Sequence, residues 1–155
     1  MLRKTLKWRR AIRIDEILDE EFSPEHKNMW SMDGSTDREG RPVSYYSLGS
    51  LRAKEMRHRL LGSPEKYEEF TRWRIQCIER GIRKILFKDG AVNSIIQIVD
   101  LKNSPATAMK EVNWINKKML NLIQEHYPGL IYKTVSTFSC PLNLAEQFRE
   151  SSHYV

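Results

Sequence analysis

The chain has 155 residues, 40% of them hydrophobic and 10% aromatic, with 26 basic against 20 acidic side chains and a formal charge of +6. That is one domain's worth of apolar material and excludes a disordered tail. No apolar run is long enough for a transmembrane helix, or for a signal-peptide core behind the basic start MLRKTLKWRR, so the expectation is a cytoplasmic protein.

LRKTLKWRRAIRIDEILDE reads as one or two helical pieces, with Leu2, Leu6, Trp8, Ile12, Ile14, Ile17 and Leu18 expected to supply apolar contacts. Residues 28–32 and 43–48 are strand-compatible around a turn-rich centre that holds Asp37, Gly40 and Pro42, which predicts a hairpin. Ser63-Pro64-Glu65 is a helix start: Ser accepts from the first free amides, and Pro loses no bond at the first helical position. That helix is expected to run to about Leu86, with Tyr67, Phe70, Trp73, Cys77, Ile78, Ile82 and Ile85 inward and Arg72, Arg80, Arg83 and Lys84 left for solvent or ligand. Asp89-Gly90 ends it.

NSIIQIVDL follows as a short β-branched run with apolar residues on both faces, which suits a strand buried on both sides. Ser104-Pro105 opens a second long helix, in which Ala108, Val112, Ile115, Met119, Leu122 and His126 recur at helical spacing. Tyr127-Pro128-Gly129 closes it, Leu130 to Phe138 is strand-like, and a weakly helical or unstructured stretch follows Pro141. The order of helix, hairpin, helix, strand, helix and possible strand implies an α/β fold: a mixed sheet with crossover helices packed on it.

The charge is unevenly placed. Residues 1–14 carry six basic side chains and no acidic one, residues 15–25 carry six acidic ones, and residues 51–88 carry eleven basic against five acidic, a surplus equal to the whole net charge. That last segment would favour anionic headgroups or phosphates, though a solvated helix face explains it as well. Motifs for chemistry are missing. There is no glycine-rich phosphate loop, nucleophile elbow or metal-spaced His pair, and His26, His58, His126 and His153 are scattered. Cys77 and Cys140 are too few for a disulfide framework or a metal knuckle and read as reduced thiols. Asp100, at the end of the apolar strand, occupies a place where α/β proteins put ligand-binding residues, yet no second acid or His accompanies it. A turn role, its oxygen satisfying loose amides, is the stronger reading. No helix-turn-helix or strand-borne stacking motif points to nucleic acid.

Five blocks in order, LKWRRAIRIDEIL, DREGRPVSYY, FTRWRIQCIERGIRKI, VNSIIQIVDLKNSP and the helix ending HYPG, resemble the first half of a CRAL-TRIO lipid-binding domain, most closely that of the plant patellins. The resemblance covers about residues 1–133. It implies an incomplete CRAL-TRIO-type mixed sheet flanked by helices: residues 1–26 end an N-terminal helical unit, 27–133 form the first half of the lipid-binding domain, and 134–155 are a divergent tail. It further implies a cytosolic or membrane-peripheral protein that holds a phosphoinositide or another hydrophobic ligand in a pocket between a mixed sheet and helices, without catalysis; no metal, cofactor or nucleic-acid partner is expected. Tyr45, Ile96 and Ile98 are the candidate pocket residues, and Arg72, Arg80, Arg83 and Lys84 the candidate membrane or headgroup contacts. The tail departs from the family's continuation and gives the chain the look of a truncated or alternatively spliced product. A carrier must shelter acyl chains almost completely to compete with a bilayer, each CH₂ being worth about 0.8 kcal/mol. The alternative is therefore a non-catalytic fragment that binds a protein partner, or itself, through an exposed apolar face.

Overall fold

In the computed structural model, residues 2–32, 34–85, 87, 90–104 and 110–137 are described. The amino-terminal pattern divides into α1 (Leu2–Ala11) and α2 (Ile14–Asp19) because Arg13 between them takes the left-handed backbone, φ 58°. Ile14 and Ile17 of α2 are buried against Ile75, whereas α1 buries none of its residues; Leu2 and Leu6, expected in apolar contacts, are 73% and 51% exposed. A single turn, α3 (Pro24–Lys27), leads to the sheet.

The hairpin is present in reduced form: β1 (Trp30–Ser31) pairs antiparallel with β2 (Val43–Ser47), with Trp30 opposite Tyr46. Asp37 organises the connection, its Oδ1 accepting from the amides of Glu39 and Arg41 at 2.9 and 2.8 Å. A 3-10 turn at Gly49–Arg52 and α4 (Lys54–Leu61) lead into α5 (Pro64–Ile82). Ser63 caps α5 as expected, accepting from Lys66 N at 3.3 Å. The helix stops at Ile82, four residues short of the expected end, because Lys84 and Ile85 bond back to Gly81 and Ile82 in tightening three-residue turns.

β3 (Ile95–Asp100) lies parallel to β2, α6 (Lys110–His126) crosses over, and β4 (Ile131–Thr137) lies parallel to β3. The sheet order is β1-β2-β3-β4, a mixed α/β sheet of the expected class. Ala108 and the Pro105 start of the second helix, along with Leu86, Asp89, Phe138, Cys140 and His153, lie outside the described residues. Within α6 the stripe holds: Val112, Ile115 and Met119 are buried and Leu122 and His126 half-buried.

One face of the sheet carries both long helices. Tyr46 and Val99 pack with Phe70, Trp73 and Cys77 of α5 and Val112 and Ile115 of α6, while Ile95 packs with Ile78, Met119 and Tyr127. Cys77 is a buried free thiol, pushed up to about 12 chiefly by that burial, which keeps it protonated and unreactive.

His26 is 1% exposed among the rings of Phe22, Phe70 and Trp73, its Nδ1 2.9 Å from Ser23 Oγ and its Nε2 without a partner. Burial holds its imidazole below the ordinary histidine range, opposed by the Glu69 and Glu25 carboxylates and helped by Lys66. The unfolded chain therefore takes up the proton first. This contribution to stability is whole above the unfolded value of about 6.5 and is lost as pH falls from there through the folded value, by at most about 1.4 kcal/mol per pH unit. Urea midpoints from neutral to mildly acidic pH should fall more steeply for the native chain than for His26→Phe; parallel slopes would exclude His26 as the cause.

Candidate functional site

The strand register sorts the second face of the sheet into rows running across β2, β3 and β4. Val43, Ile96 and Lys133 form one row, Tyr45, Ile98 and Val135 the next, and Ser47, Asp100 and Thr137 the last. Because side chains alternate along a strand, all nine project away from α5 and α6. Ile96 and Ile98 are buried there with Val43 and Tyr45 packed beside them, and among the described residues this cluster contains no helix side chain. The structure thus brings the three sequence-selected residues Tyr45, Ile96 and Ile98 together on one apolar surface, bounded by Lys133 at one end and by a polar row at the other.

The polar row is organised by Asp100, which is 5% exposed. Its Oδ2 accepts from the Tyr45 hydroxyl at 2.7 Å and its Oδ1 from Lys102 N at 2.8 Å, an Asx turn at the carboxyl end of β3. Asn103 completes the reversal in the left-handed region, φ 57°, where Asn is tolerated. Gly49 meets this turn so closely that a Cβ there would lie 2.7 Å from Lys102 O. Among the described residues no group of His, Cys, Asp and Glu is placed to hold a metal ion.

The four sequence-selected cations are not part of this surface. They belong to α5 and the turn after it, and α5 abuts the opposite face, where a Cβ on Gly81 would lie 3.6 Å from Ile95 Cδ1. Arg72 is committed to internal contacts, pairing with Glu20 at 2.8 Å and donating to Ile12 O at 3.1 Å. Lys84 donates to Met32 O at 3.0 Å, and Arg80 and Arg83 are exposed.

Two arrangements escaped sequence reasoning. Arg74 lies 3.7 Å over the Tyr46 ring, joining α5 to β2 through a cation–π contact. Glu79 of α5, 5% exposed, receives Arg9 of α1 at 2.5 and 3.1 Å and the Tyr127 hydroxyl at 2.6 Å. Burial first, and then Glu79 itself, push the Tyr127 phenol far above the ordinary range, so it remains a donor. The only sequence signal for this cluster is a glutamate on the apolar side of α5, since the partners lie 70 and 48 residues away.

A short mixed sheet with both long helices on one face and an apolar cluster on the other defines an open-sheet α/β domain. The chain belongs to the CRAL/TRIO domain family, whose model matches residues 26–141. It is 39% identical over 133 residues to Patellin-3 of Arabidopsis thaliana, covering 86% of this chain and 27% of that protein. To Patellin-4 of the same plant it is 40% identical over 136 residues, covering 87% and 24%. The crystal structure of Sfh5 shares the fold with a TM-score of 0.74 at 22% identity, over 95% of this chain and 54% of that one. The chain therefore spans about a quarter of the length of the patellins that it matches.

Proposed function

We propose that this chain supplies one wall of a lipid-binding or lipid-transfer domain that acts at membranes without catalysis, the ligand being a phosphoinositide or another hydrophobic molecule. The observation that carries the reading is the apolar row Tyr45–Ile98–Val135 beside Val43 and Ile96, on the face turned away from α5 and α6, where Ile96 and Ile98 are 6% and 4% exposed. Acyl chains match such a surface, and the flanking Tyr45 hydroxyl and Lys133 offer polar ends for a headgroup. Arg80 and Arg83, on the other side of the sheet, are contacts for a membrane surface in this reading rather than for the bound headgroup. Among the described residues no helix is long and apolar enough to cross a membrane.

The test incubates the chain with phosphatidylcholine vesicles containing or lacking phosphatidylinositol 4-phosphate, separates protein from vesicles, and analyses the lipid retained by mass spectrometry. Stoichiometric lipid on the recovered monomer is expected. A lipid-free monomer would reject the reading, and a lipid-free oligomer would favour a protein-interaction fragment that covers the same face with another chain.

A further inference from the structure

Helix α1 is attached to the body by polar and aromatic contacts rather than by its leucines. Trp8 stacks on His126 at 3.9 Å, Arg9 pairs with Glu79, Lys4 pairs with Glu125, and Thr5 Oγ1 lies 3.4 Å from His126 Nδ1. At about 100° per residue these four side chains occupy one side of the helix, and Leu2, Leu6, Arg10, Arg3 and Lys7 fall together on the remaining arc of about 140°. All five of these are exposed. Among the described residues Arg3, Lys7 and Arg10 make no ion pair, in contrast to Lys4, Arg9 and Arg13. The helix is amphipathic, and its apolar stripe faces outward.

We propose that this outward face of α1 docks on an anionic bilayer surface, with Leu2 and Leu6 entering the headgroup–acyl boundary and Arg3, Lys7 and Arg10 lying among the headgroups. Charge complementarity selects this occupant. A second copy using the same face would set these cations against their own equivalents, and a purely polyanionic partner has no use for the leucines. Asp15 and Glu16 share a cleft with Leu6, Arg9, Arg10 and Arg13, and Arg13 pairs with Glu16 at 2.6 Å, so acidic side chains of α2 bound the basic face at the end of α1. The inference deepens the membrane part of the reading above, on which it rests, by adding α1 to Arg80 and Arg83 as a surface that meets the bilayer. Its test is separable because the vesicles contain no phosphoinositide and no ligand uptake is measured.

Flotation of the full chain at low salt with vesicles of phosphatidylcholine alone, or mixed equally with phosphatidylserine, reads the partition directly. Strong preference for the mixed vesicles is expected. Arg3→Gln/Lys7→Gln/Arg10→Gln should weaken binding on the order of 100-fold, and Leu2→Ser/Leu6→Ser at least about 10-fold, with unchanged circular dichroism because none of the five side chains is buried. Equal binding to both vesicle types overturns the proposal. So does serine substitution without effect, which would leave only a polyanion-binding patch. Loss on Arg80→Gln/Arg83→Gln with the α1 variants unaffected would place docking on α5 and overturn it too.

Discussion

Replacing Glu79 with alanine is expected to lower the unfolding free energy by about 3 kcal/mol, the size typical of breaking a buried ion pair from one side. Glu79 is 5% exposed and joins three helical elements: α5, which carries it; α1, through both terminal nitrogens of Arg9; and the end of α6, through the Tyr127 hydroxyl. Alanine leaves the Arg9 guanidinium without its partner and the Tyr127 hydroxyl with no acceptor. Arg9 is 31% exposed, so water recovers part of its loss and the figure falls at the lower end of the buried range. Tyr127→Phe removes only one neutral donor and should cost about 1 kcal/mol. Denaturant unfolding of both variants measures the difference. A Glu79→Ala cost no larger than that of Tyr127→Phe would mean that the Arg9 pair contributes nothing. Since α1 buries no residue, proteolysis or amide exchange of α1 should rise in Glu79→Ala before the rest of the domain opens.

That cluster also marks where sequence reasoning stops. The α6 stripe from Val112 to His126 was legible because helical periodicity is a local property, and so was the Ser63 cap of α5. Glu79, by contrast, meets partners 70 and 48 residues away, and no period connects them. For α1 the sequence shows an amphipathic helix but not which side is buried. A Trp–His stack and an Arg–Glu pair hold the inner side, leaving the leucines outside, against the expectation from hydrophobicity alone. The family was legible because its blocks recur in order. The common side of Tyr45, Ile96 and Ile98 depended on register: Tyr45 stands opposite Ile98, and a slip of one residue would have turned it to the helix-covered face. The early end of α5 rests on a tightening of its final turns at Gly81 and Ile82, well before the Asp89-Gly90 stop from which the end was read. Arg72, exposed in a helical projection, is taken by Glu20 because α2 ends beside α5, a contact that no projection of α5 alone contains.

Asp100→Ala should cost about 3 kcal/mol, and Asp100→Asn about 1 kcal/mol, as expected of a carboxylate that holds a turn. The alanine variant deprives the Lys102 amide and the Tyr45 hydroxyl of their acceptor at once, and hydrogen bonds to a charged group are worth about twice those between neutral groups. Asparagine keeps an oxygen for Lys102 but turns its NH₂ toward the Tyr45 hydroxyl, which must then accept instead of donate. The cost is concentrated because the turn has little room to relax: Leu48 N donates to Asp100 O at 3.2 Å, Leu101 N to Thr137 O at 2.7 Å, and Gly49 abuts Lys102. Tyr45 is half-buried, so part of its loss is met by water, and the amide accounts for the larger share. A double-mutant cycle with Tyr45→Phe separates the two, with a coupling of about 1 kcal/mol expected between Tyr45 and Asp100. Equal stability of the alanine and asparagine variants would show that backbone pairing alone holds the reversal. The same cycle bears on the ligand surface, because the Asp100 bond fixes the Tyr45 hydroxyl over the polar row and with it the lean of the ring beside Ile98. If Tyr45→Phe retains full stability but changes which lipid is carried, the hydroxyl belongs to ligand selection, and Asp100 acts on the ligand only by holding it in place.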